Sequence, residues 1–458
     1  MSVLRGKPQR SPFAARIFSF GLMGAAFFLS SPLFAQGPPA KPAGIEPSAE
    51  EHVHPETLGS LQNLLTEAEQ NNPQIRAARQ AWEAAKQVPS QVSTLPDPQF
   101  MVQQVNVGSP RPFAGYTNSD FSYFGLGITQ DLPYPGKLRL RGEMAKRDAD
   151  VTQQQYESVR RSIFAGVKSA YFQLAYLAQT LGILEADAQL LQQVEKAAEA
   201  RYRSGMGNQQ DLLEAQVEET KLVREITMHH LDVAKAQAQL KQLLNRSQSS
   251  RDIEPAGLSE TPLPYTFDEL LTAASAHNPE LAGAQKMIEK QKLQVDLAHK
   301  DFYPDFNVQY IWQRTDPAQF RAYYMLTVGV TVPIYRGRKQ RPELAQAEAE
   351  LDRSRSDAEA QSQQVAFQLR TAFDVAEKTS ELLGIYRNGL QPQTRAEFQS
   401  GLAAYQNNRQ DFQPLLKSFL DVLQLDEEYW QNVGERETAL AQLEQLTGLS
   451  LRQEGAPQ

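Results

Sequence analysis

The sequence predicts a mainly α protein with a small membrane β part, in which duplicated, long, coiled-coil-like helices carry four strands per chain. Three observations predict it. The chain repeats itself at about 200 residues, its breaker-poor stretches are far longer than ordinary helices, and at matching places in both copies the helical pattern gives way to a period of two.

The repeat is visible as spaced marks. Leu64-Leu65-Thr66 followed by Asn72-Pro73 returns 206 residues later as Leu270-Leu271-Thr272 followed by Asn278-Pro279. Pro96-Asp97 returns as Pro304-Asp305, Leu181-Gly182-Ile183 as Leu383-Gly384-Ile385, and Tyr202 with Leu212-Leu213 as Tyr405 with Leu415-Leu416. Such a period is too long for a solenoid, so two copies of one large unit packed with pseudo-symmetry are expected.

Taken in order, the 458 residues begin with Arg5, Lys7, Arg10 and Arg16 ahead of an apolar run from 17 to 29 and a small residue, Ala35, before Gln36. That is the pattern of a secretory signal peptide, 1–35, and the run is shorter than the roughly 20 residues of a spanning helix. Segment 36–56 carries five prolines among small and polar residues and reads as a flexible lead-in. The first repeat follows at 57–249, a proline-marked connection at 250–265, the second repeat at 266–449 and a tail at 450–458.

Each repeat reads as helix, insert, long helix, turn, helix. In the first, Leu174, Leu177, Leu181, Leu184, Ala188, Leu191, Val194 and Ala198 recur at steps of three and four. A helix over 138–204 would be about 100 Å long at 1.5 Å per residue. The second answers with Val365, Leu369, Ala372, Ala376, Thr379, Leu383, Tyr386 and Leu390. These stripes read as interhelical seams. Gly205 with Gly207, and the pair Asn407-Asn408, mark turns at 203–209 and 404–410, each followed by a return helix, about 209–244 and 410–446.

The inserts, about 98–131 and 303–334, differ in kind. Phe124, Leu126 and Ile128 alternate with Gly125, Gly127 and Thr129, after a rougher strand over 99–107 and a turn-rich loop at 108–119. Val308 and Tyr310, then Leu326 and Val328, stand on similarly apolar faces. Strands of about 10 residues with one aromatic-rich apolar face suit a membrane barrel, though a half-buried soluble hairpin alternates in the same way. Four strands cannot close a barrel, because membrane barrels begin at eight and an open edge in lipid leaves backbone groups unpaired. A homotrimer would supply a trimeric 12-stranded outer-membrane β-barrel, continued by long coiled-coil-like helices forming a periplasmic tunnel.

No cysteine occurs, which excludes disulfides, thiolate sites and a lipid-carrying N-terminal cysteine, so no lipoprotein is expected. Removing 1–35 takes away four bases and no acid, leaving a net charge of about −12, which argues against a nucleic-acid partner. There is no phosphate loop, nucleophile elbow or paired-histidine zinc motif, so neither an enzyme nor a resident cofactor or metal is expected. His229 and His230 are adjacent and point about 100° apart on a helix. His52 and His54 lie in the lead-in beside Glu50, Glu51 and Glu56, a cluster with at most weak metal affinity.

From Leu58 to Leu449 the chain resembles the TolC-like outer-membrane efflux family. The marks are the Asn-Pro of each first helix, Gln130-Asp131-Leu132-Pro133-Tyr134-Pro135-Gly136-Lys137-Leu138, and Tyr202-Arg203-Ser204-Gly205 before Asp211-Leu212-Leu213-Glu214-Ala215-Gln216. The proline-rich exit stretch, with Arg139 and Arg141, looks most like the heavy-metal (CzcC-like) branch. The resemblance implies a homotrimeric channel in outer-membrane lipid that docks with a periplasmic adaptor (membrane fusion) protein and an inner-membrane pump of the RND type. Its cargo would be heavy-metal cations, or otherwise drugs or small toxic compounds.

The resemblance also puts the narrow end of the tunnel at the turns. Asp211 and Glu214, one helical turn apart, would form acidic rings around a three-fold axis, or simply be acids favoured by a helix start. The second copy has Pro414 and Lys417 at that register, with Arg409 and Asp411 nearer its turn, leaving open a contact from Arg409 to an acid of a neighbouring helix. Ser204, Gly205, Gly207, Asn407 and Asn408 are the candidate adaptor contacts. Phe124, Leu126, Ile128, Val308, Tyr310, Leu326 and Val328 are the candidate lipid-facing residues. A periplasmic adaptor would instead show one helical hairpin flanked by halves of small β domains, and a periplasmic coiled-coil scaffold would not partition into membrane.

Overall fold

The computed structural model describes residues 60–106, 122–315 and 322–451. The expected export segment, the lead-in with His52 and His54, and the loop 108–119 lie outside them.

The Asn-Pro of each repeat does not sit inside a helix but divides one from the next. Helix α1 (Leu61–Asn71) gives way to α2 (Pro73–Ala85), and in the second repeat α6 (Phe267–His277) gives way to α7 (Pro279–Lys300). Proline at the first helical position lacks only a donor that would have no intrahelical partner, and the asparagine before it adopts extended backbone and caps the next helix. Each cap has a second use. Asn72 Nδ2 donates to the Leu243 carbonyl at 2.8 Å and Asn278 Nδ2 to that of Leu446 at 3.1 Å, so each repeat's entry is tied to the end of its return helix.

After the short α3 (Val88–Ser93), β1 (Gln99–Val105) and β2 (Tyr123–Leu132) form one antiparallel hairpin; β3 (Asp305–Arg314) and β4 (Tyr323–Thr331) form the other. They join into one sheet of order β1-β2-β3-β4, with β2 beside β3. The two outer strands present unpaired edges within one chain.

The strands lead into α4 (Lys137–Arg203), 67 residues without interruption, which returns as α5 (Gln209–Leu243). At the corner Gly136 takes φ +94°, a conformation open to glycine, and Lys137 begins the helix almost fully buried. Its ammonium reaches Asp301 at 2.9 Å and Asp305 at 3.0 Å. Burial opposes its charge, but hydrogen bonds and attraction from the two aspartates outweigh burial and raise its pKa. Tyr134 stacks on Tyr303 beside this contact at 4.6 Å between centroids. The corner thus binds the exit of the first hairpin to the entry of the second.

In the second repeat the long helix is not continuous. Helix α8 (Gln340–Ile385) passes through a π turn (Tyr386–Leu390) into α9 (Gln391–Gln406), and the return is α10 (Phe412–Thr447). Pro392 has no N–H to close an α-type bond, and the wider turn, closed from Gln391 N to the Tyr386 carbonyl, accommodates that loss. It also re-phases the seam. Val365, Leu369, Ala372, Ala376, Thr379 and Leu383 are buried as expected, whereas Leu390, assigned to the same stripe, is 38% exposed.

Three apolar clusters hold the helices together. One serves the first repeat around Leu64, Val167, Leu174 and Leu240, and one the second around Leu270, Leu369, Leu440 and Leu443. The third joins the repeats near the turns, setting Leu191, Val194 and Leu222 against Tyr405, Phe412, Leu415 and Phe419. The connection between repeats has little regular structure but is pinned. Thr261 donates its N–H and hydroxyl to Glu437, each at 2.7 Å, and Gln237 exchanges two hydrogen bonds with Ile253.

Candidate functional site

Two ends of the molecule carry the candidate residues. At the sheet, pairing register settles which side chains share a face, because directly opposed residues point the same way. Phe100, Ile128, Tyr310 and Leu326 are opposed in one row; Val102, Leu126, Trp312 and Tyr324 in the next; Gln130, Val308 and Val328 in a third. All seven candidate lipid-facing residues therefore stand on one sheet face. Leu126, Tyr310, Leu326 and Val328 are exposed there, while Phe124, Ile128 and Val308 are half-covered by their neighbours.

The opposite face is mostly small and polar: Gly125, Gly127 and Thr129 in β2, Asn307, Gln309 and Gln313 in β3, Thr327 and Gly329 in β4. Two of these glycines make room. A Cβ on Gly127 would lie 2.7 Å from Met101 Cγ, and one on Gly329 would run into Asn307. Ile311, buried over Gly125 and Gly127, shares this side with Met101 and Met325, its row neighbours. No described helix is long and apolar enough to cross a membrane.

At the other end, both long helices close on a left-handed residue at equivalent places, Gly205 with φ +73° and Asn408 with φ +61°. In each turn the next residue donates back five positions, Met206 N to the Arg201 carbonyl and Arg409 N to that of Ala404, the bond of a Schellman cap. Asparagine tolerates this conformation better than other residues with a Cβ, which explains Asn408 where the first repeat has glycine. Ser204, Gly205, Asn407 and Asn408 are exposed, and Gly207 is half-buried against Arg201.

The structure brings Asp211 to the second turn. Tyr405, fully buried, donates its hydroxyl to Asp211 Oδ2 at 3.2 Å. Burial and the Asp211 charge push the Tyr405 phenol up to about 12. Arg201 lies over the Tyr405 ring, 4.2 Å from its centroid, donates to the Tyr405 and Gln410 carbonyls at 3.2 and 3.4 Å, and also donates to Asn408 Oδ1. A residue of the first turn thus fastens the second. Neither Arg201 nor Tyr405 stands out in the sequence as a functional residue. The available signal was Tyr405 as the counterpart of Tyr202, without any sign that one is buried and the other 44% exposed.

Glu214 accepts from Gln210 at 2.8 Å and from Gln413 of α10, so it bridges the two return helices. Arg409 and Asp411 are exposed, and neither forms an ion pair within the chain among the described residues; the contact from Arg409 to Asp211 or Glu214 is not made inside one chain. Asp411 begins α10 without capping it through its side chain. Between α5 and α10 runs a groove of about 510 Å³, with exposed Leu213, Val217 and Leu420 inside a rim that includes Glu214, Glu218, Lys221 and Lys417.

The model of the family described as "Outer membrane efflux protein" matches residues 64–246 and 270–449, one segment in each repeat. The chain belongs to the outer membrane efflux protein family. The resemblance to TolC-like proteins is therefore correct, and a conduit rather than an enzyme is the class this family represents. Among related efflux proteins, the pyoverdine export outer membrane protein OpmQ of Pseudomonas putida is 23% identical over 228 residues, 48% of each chain. The multidrug resistance outer membrane protein MdtQ of Escherichia coli O157:H7 is 24% identical over 310 residues, 60% of this chain and 62% of its own. The chain thus spans about half to three fifths of the length of the curated relatives it matches. The fold extends further. The outer-membrane channel OprN superposes with a TM-score of 0.74 at 17% identity, covering 85% of this chain and 90% of its own.

Proposed function

We propose that three copies of this efflux-family chain assemble in the outer membrane as a passive channel of a tripartite exporter. The observation that carries this reading is the open four-stranded sheet, apolar on one face and mostly small and polar on the other, joined directly to paired helices of 35 to 67 residues. Each edge strand needs a partner in lipid, and a neighbouring copy supplies one by placing its β1 beside β4. The seven residues from Phe124 to Val328 then face lipid, with Trp312 and Tyr324 toward one interface and Phe306 and Leu132 toward the other.

The turns form the periplasmic end. Three copies of Asp211 and Glu214 set around the axis favour cations, and Asp411 and Arg409, unpaired within the chain, are placed for contacts between copies. The groove between α5 and α10 receives a helical hairpin of the periplasmic adaptor, which couples the channel to an inner-membrane pump of the RND type; its apolar floor and charged rim suit helix-in-groove docking. An adaptor or scaffold role is less well supported, because strands interrupt the helices twice and join in one sheet. The relatives' names favour cargo such as pyoverdine or drugs. The exit stretch from Gln130 to Leu138 favours heavy-metal cations, and deletion of the gene followed by growth on copper, silver, zinc, cobalt and a drug panel separates the two.

Single-channel recording in a planar bilayer tests the conduit. The purified oligomer should conduct with cation preference and be blocked by multivalent cations, and Asp211→Ala with Glu214→Ala should weaken both properties. An oligomer that does not conduct contradicts the reading.

A further inference from the structure

About 17 Å along α5 from Glu214, at 1.5 Å per residue, three ligand-type side chains converge that play no part in the turns. Glu225 and His229 stand one helical turn apart on α5, and Glu427 comes from α10; a donor atom of each lies within 4.8 Å of the others. His229 Nε2 is 3.6 Å from Glu427 Oε1, too far for a normal hydrogen bond. It is close to the separation of two donors on one ion, since bonds of about 2.1 Å in tetrahedral geometry set donors about 3.4 Å apart.

His229 is 9% exposed, and its Nδ1 is buried with no hydrogen-bond partner. The charge is unbalanced as well. Among the described residues neither Glu225 nor Glu427 is ion-paired with a lysine or arginine. Two carboxylates and a buried imidazole facing one another without a protein cation are what a bound divalent ion would satisfy.

We propose that Glu225, His229 and Glu427 form a divalent-cation site that clips the return helix of the first repeat to that of the second. Imidazole with carboxylates suits zinc, cobalt or nickel, whereas copper(I) and silver(I) prefer the sulfur ligands absent here. The ion acts as a brace within the wall, because α5 and α10 otherwise share little backbone contact. The neighbouring His230 is not needed. The partners of His229 lie one turn back on its own helix and across on α10.

The test uses the full chain, purified in detergent without a histidine tag, stripped with chelator and carrying His52→Ala and His54→Ala to silence the lead-in. Titration with Zn²⁺ by calorimetry, and with Co²⁺ by visible absorption, should give one ion per chain and a higher melting temperature. Glu427→Gln, which preserves shape, and His229→Ala should each weaken binding at least about tenfold and remove the thermal shift. His230→Ala, at an exposed neighbour outside the cluster, should leave both intact. The proposal is overturned if the parent binds no ion, if Glu427→Gln and His229→Ala bind as the parent does, or if binding is lost with His230→Ala instead.

Discussion

Tyr202 and Tyr405 occupy the same place in the two repeats, three residues before a left-handed residue, yet the first is exposed and the second is fully buried. The difference arises from what surrounds them. Tyr405 lies between the Arg201 guanidinium and the Asp211 carboxylate, which flank the first turn, while the second repeat has Pro414 at the position of Asp211. The two turns share a backbone form, but the second is fastened by residues that flank the first. The long helices diverge similarly: α4 is unbroken, whereas its counterpart is re-phased by a π turn ahead of Pro392.

The largest expected effect breaks that dependence. Tyr405→Ala removes a fully buried aromatic from the cluster joining the repeats and should destabilise by about 3–5 kcal/mol, whereas Tyr202→Ala should stay within about 0.5 kcal/mol. Denaturant unfolding of the detergent-solubilised protein compares the two, and equal losses would show that the turns are equivalent after all.

The strands supply the contrasting case, where symmetry should persist. Ile128 of β2 and Leu326 of β4, one from each copy, share the middle row of the apolar face. Leu326→Arg and Ile128→Arg should each cost about 2–4 kcal/mol near mid-bilayer, read as lost assembly into the outer membrane. Unimpaired assembly of either variant would remove that residue from the lipid face.

A smaller effect sharpens the comparison along the long helices. Asp187 of α4 corresponds to Gly389 in the π turn of the other copy at the offset of Leu181-Gly182-Ile183. Burial, with the Asp426 carboxylate adding and Arg395 opposing, pushes its carboxyl up to about 6 from an ordinary 3.8. A raised carboxyl pKa means the ionised form is the destabilising one, so its penalty is present above about 6, falls as pH drops through that value and is gone below about 3.8. Asp187→Asn should accordingly exceed the parent in stability by about 2–3 kcal/mol at pH 8, with the two converging near pH 4 in thermal melts. A pH-independent difference would refute the assignment.

Much of the fold was legible because its signals are local and repeated. Leucine and alanine at steps of three and four placed a helix over 138–204, within a residue of the observed Lys137–Arg203, and alternation about Phe124 and Val328 marked strands. The Asn-Pro pairs were legible as marks but not as helix boundaries, since the bonds from Asn72 to Leu243 and from Asn278 to Leu446 span more than 160 residues. The candidate sites were legible only in part for the same reason. Asp211 and Glu214 could be placed on one helix face, but Arg201 over Tyr405 and Glu427 beside His229 join elements far apart in sequence. The π turn was missed because Tyr386 and Leu390 continue the helical spacing, and only Pro392 signals the change of phase.

The central claim is that the open sheet is closed by further copies of the same chain in lipid. Cross-linking cysteines placed at the two edges, Val102→Cys in β1 with Val328→Cys in β4, measured in isolated outer membranes, tests it most directly. The account predicts covalent trimers that require both cysteines. Recovery of the chain as a soluble periplasmic monomer, with no cross-linked species, would contradict it.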